Sequence, residues 1–109
     1  MRLLSYSHPH PGYGLLDRSG TGVIDLGARL PDVADLQALV ATGRADECAA
    51  FADDQADHPL DAVSFERPLA WPRKVFCIGV NYGGRASEYA DPADASYPSV
   101  FVRFPDSFT

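Results

Sequence analysis

The sequence of 109 residues predicts an α+β fold, for three reasons. Residues 1–30 contain three short apolar runs separated by turns rich in Pro and Gly, a pattern typical of a β-meander. Residues 30–43 follow with the apolar spacing of an amphipathic helix. Two later apolar runs, at residues 75–80 and 99–104, predict the first strands of a second sheet.

The meander consists of the runs "RLLSY", "YGLLD" and "GVIDL". The segments between them, "HPHPG" and "RSGTG", contain turn formers, because proline fixes φ and glycine tolerates a positive φ. Short turns of this kind join antiparallel neighbours. We therefore expect a three-stranded antiparallel sheet at the start of the chain.

The clearest helix is predicted over residues 30–43. Asp32 is expected to cap its amino terminus after Pro31, and Gly43 is expected to end it. Four apolar side chains share the predicted core-facing side of this helix: Val33, Leu36, Leu39 and Val40. A second, weaker helix, rich in alanine and acidic residues, is predicted over residues 45–58. Three prolines then favour extended structure over residues 62–72.

The run "KVFCIGV" is the strongest predicted strand. Its apolar residues are continuous rather than alternating, which predicts a central strand covered on both faces. The last run, "SVFVRF", is also strand-like and lies close to Thr109. An unpaired apolar strand would be an exposed sheet edge. Either this strand pairs with an earlier one, or further strands of its sheet lie outside this sequence.

Charge and composition narrow the classes of partner. The formal net charge is −6 and the isoelectric point is near 4.7. An acidic chain without a basic stripe is a poor match for nucleic acid or for an anionic membrane surface. No apolar run approaches the length of a membrane span, and no signal peptide opens the chain. Two cysteines are too few for a disulfide framework. We expect a cytoplasmic protein.

The most informative stretch for chemistry is "GVNYGGRASEY", in which a strand is predicted to end on two glycines before a short helix. Such a turn allows close approach of a ligand to the backbone. Arg85 and Glu88 stand three residues apart and share one face of that helix. They form either an exposed ion pair or a catalytic pair. In the catalytic case Glu88 carries the proton, since arginine keeps its proton at neutral pH.

The histidines and the remaining acidic residues are weaker candidates. His8, His10 and His58 adjoin prolines and are expected to be exposed loop residues without metal-ligand spacing. The acidic group at residues 53–57 lacks the ligand order of a calcium loop and is expected to be a solvated helix face. The sequence contains neither a dinucleotide fingerprint nor the G-x-S-x-G motif of a serine hydrolase. These residues form no complete catalytic constellation.

Three blocks, "KVFCIGVNY", "GGRASEYA" and "YPSVFVRFPDSF", resemble the start of the catalytic domain of the fumarylacetoacetate hydrolase family. Residues 1–70 resemble the small β-plus-helix domain that precedes it, and residues 71–109 the start of the catalytic domain. The resemblance implies a mixed β-sandwich roll, a homodimer, and Mg²⁺ or a similar cation such as Mn²⁺ or Ca²⁺. It also implies oxo-acid substrates of dicarbonyl or enol character from aromatic catabolism. The reactions implied are C–C hydrolysis, isomerisation and decarboxylation.

The resemblance also assigns roles to residues. Hydrolytic members carry a His–Glu pair in the short helix; here Glu88 matches the glutamate, and Arg85 occupies the histidine position, as in an isomerase-like branch. Glu88 and Arg85 are therefore the implied catalytic pair. Tyr82 and Arg103 are expected to bind substrate oxygens. A buried Arg103 would need a partner, either Glu88 or a substrate carboxylate.

The carboxylates that bind the metal in this family come after the point matched by Thr109, so no metal ligand is expected in this chain. The chain is expected to be an amino-terminal fragment that is inactive alone and requires a carboxy-terminal segment or a partner chain. The alternative interpretation is a stand-alone, non-catalytic domain. Such a domain would pair its open edge strand with a partner protein.

Overall fold

The structure is a computed structural model that describes residues 1–79 and 98–107. The chain divides into two compact units, Met1–Ala70 and Trp71–Thr109. Each unit is built on its own antiparallel sheet, accompanied by short helices. The described residues therefore confirm the α+β class.

The first unit contains a five-stranded antiparallel sheet with the strand order β4-β3-β2-β1-β5. Its strands are β1 Leu3–His8, β2 Gly12–Leu16, β3 Gly22–Asp25, β4 His58–Pro59 and β5 Ser64–Glu66. The pairing of β1 with β2 and of β2 with β3 confirms the predicted meander. Strand β5 lies within the segment predicted to be extended, and it pairs with β1.

Both faces of this sheet carry buried side chains, because successive residues of a strand point to opposite faces. On one face Tyr13, Leu15 and Ile24 pack against the helices and against Cys48. The Tyr13 hydroxyl donates a hydrogen bond of 3.1 Å to the carbonyl oxygen of Val33 and so holds the loop before the second helix. On the opposite face a smaller cluster is formed by Leu4, Tyr6, Val23 and Val63.

The first helices differ from the prediction. Helix α1, Leu26–Arg29, was not predicted, and α2 spans only Leu36–Ala41. The predicted start at Asp32 is wrong: the side chain of Asp35 caps α2 by accepting a hydrogen bond of 2.7 Å from the backbone N–H of Ala38. The predicted stop is confirmed, since Gly43 follows the helix in the left-handed region with φ +71°.

Two further helical predictions need correction. Val40 is 50% exposed and does not face the core. The weak helix predicted over residues 45–58 is a 3₁₀ helix at Ala45–Phe51, and a second 3₁₀ turn covers Leu60–Ala62. The acidic residues beyond Phe51 are exposed, as predicted, but they do not form a helix face, because the 3₁₀ helix ends at Phe51. Their side chains pair with Arg18 and Arg29.

The described part of the second unit is an antiparallel pair, β6 Val75–Gly79 and β7 Ser99–Arg103, followed by a 3₁₀ turn at Pro105–Ser107. The final strand therefore pairs with an earlier one. The prediction that β6 is central and covered is wrong for the described residues. There β6 pairs with β7 alone, and Phe76 and Ile78 are 60% and 50% exposed. The predicted helix and polar loop between the strands lie outside the described residues.

Candidate functional site

The residues predicted to carry catalysis lie mostly outside the described ranges. Tyr82, Arg85 and Glu88 belong to residues 80–97, which the structure does not describe. Their predicted roles stay predictions. The described strand β6 ends at Gly79, directly before this segment, and β7 begins at Ser99, directly after it.

Arg103 is the one predicted site residue that the structure describes. It ends β7, opposite Val75 of β6, and is exposed. An exposed guanidinium is solvated, so the need for a charged partner, which was expected only for a buried Arg103, does not arise in the described arrangement. Because paired residues share a face, Arg103 lies on the same side of the hairpin as Cys77 and Phe101.

The other side of the hairpin is wholly apolar. It consists of four side chains, each at least half exposed: Phe76, Ile78, Val100 and Val102. A two-stranded hairpin is marginally stable by itself in water. This face therefore marks a surface that further protein must cover for the hairpin to be stable.

A different group of polar side chains converges in the first unit. His10 lies in the turn between β1 and β2, Asp25 is the last residue of β3, and His58 begins β4, beside β3. One potential ligand atom from each of these residues lies within 4.8 Å of the others. Among the described residues, no other group of three or more metal-ligating side chains converges in this way.

Tyr6 completes this group. Its ring centroid is 6.1 Å from that of His10 and 5.8 Å from that of His58, and the two imidazole centroids are 5.8 Å apart. Burial, followed by the charge of Asp25, raises the pKa of Tyr6 to about 12. The hydroxyl therefore keeps its proton at neutral pH. Asp25 is close enough to favour the protonated form, but the two groups do not meet with the distance and angle of a hydrogen bond.

Asp25 is held rigidly by the start of α1. Its Oδ1 accepts hydrogen bonds of 2.8 Å and 3.3 Å from the backbone N–H groups of Gly27 and Ala28, which makes it the helix N-cap. Within the described part of the chain, no hydrogen bond engages Oδ2. A ligand at this oxygen would share the carboxylate with the nearby Tyr6 hydroxyl.

Arg29 and Asp57 fix the other side of the group. The Arg29 guanidinium bridges Asp54, at 2.7 Å, and Asp57, at 2.6 Å. Asp57 also accepts a hydrogen bond of 2.7 Å from the backbone N–H of Asp25. These contacts hold the segment before His58 against the end of β3. They also occupy the Asp57 carboxylate, whose pKa is lowered by its hydrogen bonds and by Arg29 against the opposing effect of burial.

This convergence was not predicted from the sequence. The prediction that all three histidines are exposed loop residues is wrong for His58, which is half-buried in a strand. His8 is exposed but ends strand β1, so only His10 is both exposed and in a loop. A two-residue strand such as β4 has no periodic signature, so no sequence signal pointed to it.

The described residues do not suit the Mg²⁺ that the family resemblance implies. Mg²⁺ prefers a near-octahedral set of oxygen ligands. The group at His10, Asp25 and His58 offers two imidazole nitrogens and one carboxylate. Several of the other carboxylates are occupied by arginines, namely those of Asp32, Glu47, Asp53 and Asp54.

None of the helices in the described ranges combines the length and the apolar character needed to span a bilayer. Comparison with known proteins produced no matching family model and no matching solved structure.

Curated relatives were found. The chain is 32% identical over 114 residues to the human mitochondrial oxaloacetate tautomerase FAHD2B, covering 98% of this chain and 36% of that protein. It is 32% identical over 111 residues to the bovine mitochondrial oxaloacetate tautomerase FAHD2A, covering 95% of this chain and 35% of that protein. The chain thus spans about a third of the length of these relatives. The similarity covers nearly every residue and agrees with the sequence blocks quoted above: the chain belongs to the fumarylacetoacetate hydrolase family.

Proposed function

We propose that this chain is the amino-terminal part of an enzyme that interconverts the keto and enol forms of a carboxylated 2-oxo acid of the oxaloacetate type. The observation that carries the proposal is the 32% identity, over 98% of the chain, to a protein named as an oxaloacetate tautomerase. The arginine at position 85, where hydrolytic members have histidine, favours isomerisation over hydrolysis. C–C hydrolysis or decarboxylation of a hydroxymuconate-type oxo acid from aromatic catabolism is the second candidate.

The proposed mechanism assigns one task to each predicted residue. Glu88 transfers a proton between the substrate carbon next to the keto group and the enol oxygen, so that no atom is gained or lost. Arg85 and Arg103 bind the carboxylates of the substrate as charge-assisted pairs. Tyr82 donates a hydrogen bond to a substrate oxygen. The Mg²⁺ of the complete enzyme belongs to this proposal as well, with its carboxylate ligands in the part of the relatives that this chain does not span.

The apolar side of the β6–β7 hairpin supports a fold for the second unit. One face of the hairpin carries four exposed apolar side chains. In a β-sandwich such a face is covered by the second sheet. We therefore propose that residues 71–109 begin the family's mixed β-sandwich roll and that residues 1–70 form the preceding domain. The homodimer and the cytoplasmic location are proposals too; the relatives named above carry the word mitochondrial in their names.

The test uses the complete reading frame that contains this chain. Enolic oxaloacetate is mixed with the purified protein and Mg²⁺, and the loss of enol absorbance is followed against the uncatalysed rate. Glu88→Gln is expected to lower kcat by roughly 10²–10⁴-fold, the usual contribution of a general base. Glu66→Gln is the matched control, because Glu66 is an exposed carboxylate in β5 of the other unit. It should leave kcat unchanged.

Three results separate the parts of this proposal. Equal rates for the wild type and Glu88→Gln would remove the role of Glu88 while leaving the activity. Absence of turnover on oxaloacetate, with turnover on acylpyruvates or hydroxymuconate-type acids, would favour the second candidate. Absence of turnover on all of these compounds would overturn the enzymatic proposal.

A non-catalytic alternative is favoured by one observation, the exposure of every side chain in β7. In this alternative the strand adds to the sheet of a partner protein. Gel filtration of the 109-residue chain discriminates, since a stable, folded monomer with no tendency to associate would count against it.

A further inference from the structure

We propose that His10, Asp25 and His58 form a binding site for a divalent transition-metal ion of the Zn²⁺ class. None of the three is among the catalytic residues proposed above, so this inference does not rest on the proposed function. Three features of the molecule support the site: its ligand chemistry, the unpartnered polar atoms around it, and a glycine that makes room for it.

The ligand set selects the class of ion. Imidazole nitrogens suit Zn²⁺, Fe²⁺, Co²⁺ and Ni²⁺, and two histidines with one carboxylate recur in protein sites for such ions. Three protein ligands leave further positions for water or another small ligand. Mg²⁺ is disfavoured at the same place, because only one of the three side chains offers oxygen.

The distances require only a small rearrangement. Tetrahedral Zn²⁺ with bonds of about 2.0–2.1 Å places its ligand atoms roughly 3.4 Å apart. The three donor atoms already lie within 4.8 Å of one another. His10 is exposed in a turn, so it is the side chain able to move, whereas Asp25 is fixed as the N-cap of α1.

The orientation of His10 leaves a nitrogen for the metal. Its Nδ1 lies 3.3 Å from the carbonyl oxygen of Pro11. With the proton on Nδ1, this contact is a hydrogen bond, and Nε2 carries the free lone pair. A carbonyl that orients the second nitrogen of a metal-binding histidine is a common feature of such sites.

Two buried polar atoms at the site have no partner among the described residues. They are the Tyr6 hydroxyl, in a residue only 2% exposed, and Nε2 of His58. Buried polar groups in folded proteins are nearly always hydrogen-bonded or coordinated, and an unpaired one is costly. Coordination of the metal would satisfy His58 Nε2, and a water on the metal would satisfy the Tyr6 hydroxyl.

A glycine in β2 makes room for this arrangement. Gly12 lies on the same face of the sheet as Tyr6 and Asp25, in the strand between them. A Cβ on Gly12 would lie 2.6 Å from the Tyr6 hydroxyl oxygen. The missing side chain of Gly12 lets the Tyr6 ring extend from β1 across β2.

The experiment titrates the tag-free 109-residue chain, stripped with a chelator, with Zn²⁺ in a calorimeter and with Co²⁺ in a visible spectrometer. One Zn²⁺ per chain is expected, with visible Co²⁺ bands typical of nitrogen and oxygen ligands. His58→Gln and His10→Gln should each weaken Zn²⁺ binding by more than 10–100-fold. Removal of an outer-shell partner of a ligand already causes a loss of about that size, so removal of the ligand itself should cost more. Mg²⁺ added in roughly hundredfold excess should not displace the bound Zn²⁺.

Matched variants keep the result interpretable if folding is affected. His8→Gln is the histidine control, because His8 is exposed and lies outside the group; it should bind as the wild type does. Asp25→Asn keeps a good N-cap while removing the ligand charge, so it should fold normally, as checked by circular dichroism, and still bind more weakly. The proposal would be overturned if the wild type did not bind Zn²⁺. It would also be overturned if binding were weak and His8→Gln lowered it as much as His58→Gln does.

Discussion

A single carboxylate organises the turn between β2 and β3. Asp17 accepts a hydrogen bond of 2.7 Å from the Ser19 hydroxyl and three more from the backbone N–H groups of residues 20–22. Gly20 takes the left-handed conformation, φ +76°, that this turn requires. The segment "RSGTG" predicted a turn, but the role of Asp17 as the acceptor of the turn's hydrogen bonds was not predicted. A local hydrogen-bond pattern of this kind needs the backbone conformation to be known.

The turn carboxylate predicts a dependence of stability on pH. The hydrogen bond from Ser19, followed by those from the backbone, holds the pKa of Asp17 below its usual value of 3.8 against a smaller effect of burial. A lowered folded-state pKa contributes stability above the unfolded value, and this contribution is lost as pH falls through the folded value. The unfolding free energy of the wild type should therefore exceed that of Asp17→Asn by the largest amount at neutral pH. This difference should shrink as the pH falls below 3.8. Urea titrations at several pH values measure it, and a constant difference would contradict the prediction.

At the scale of elements, capping decides where α2 begins. The periodic apolar pattern predicts a helix capped by Asp32. The structure uses Asp35 as the cap, while Asp32 pairs with Arg44 at 2.6 Å. The Tyr13 hydroxyl also holds the carbonyl of Val33 outside the helix. Contacts distant in sequence thus shorten a helix whose local pattern allowed a longer one.

The two aspartates give a matched pair of variants. Asp35→Ala removes the cap of α2 and should lower the unfolding free energy by about 1 kcal/mol, the usual loss for an N-cap aspartate. Asp32→Ala removes only an exposed ion pair and should cost less. Chemical denaturation followed by circular dichroism compares them. A larger loss of unfolding free energy for Asp32→Ala than for Asp35→Ala would contradict this assignment and support Asp32 as the cap, as predicted from the sequence.

At the scale of the whole molecule, the described core lies entirely in the first unit. Every buried apolar residue among those described falls between Leu4 and Val63. The described strands of the second unit instead expose large apolar side chains, and the chain spans about a third of its relatives. The first unit has its own sheet with both faces covered, whereas the described hairpin of the second presents an apolar face without a cover.

This contrast predicts that residues 1–70 fold without the rest of the chain. The fragment keeps both hydrophobic clusters and the hydrogen bond of 3.0 Å from the Ser5 hydroxyl to the carbonyl of Pro68. It should unfold in one cooperative transition and show dispersed amide resonances in NMR spectra. A fragment with the collapsed, undispersed spectrum of a molten globule would show that its core depends on residues 71–109.

The sequence by itself determined the α+β class, the meander, the two strands near residues 75–80 and 99–104 (though not their pairing), and the family, because each depends on short-range patterns or on matching blocks of residues. Tertiary structure alone decided three features. It brought His10, Asp25 and His58 together from three separate segments, it chose Asp35 over Asp32 as a cap, and it left Phe76 and Ile78 exposed among the described residues. The physical reason is common to all three. Strand pairing, charge pairing and burial join residues far apart in the chain, and no local pattern records which partner is chosen.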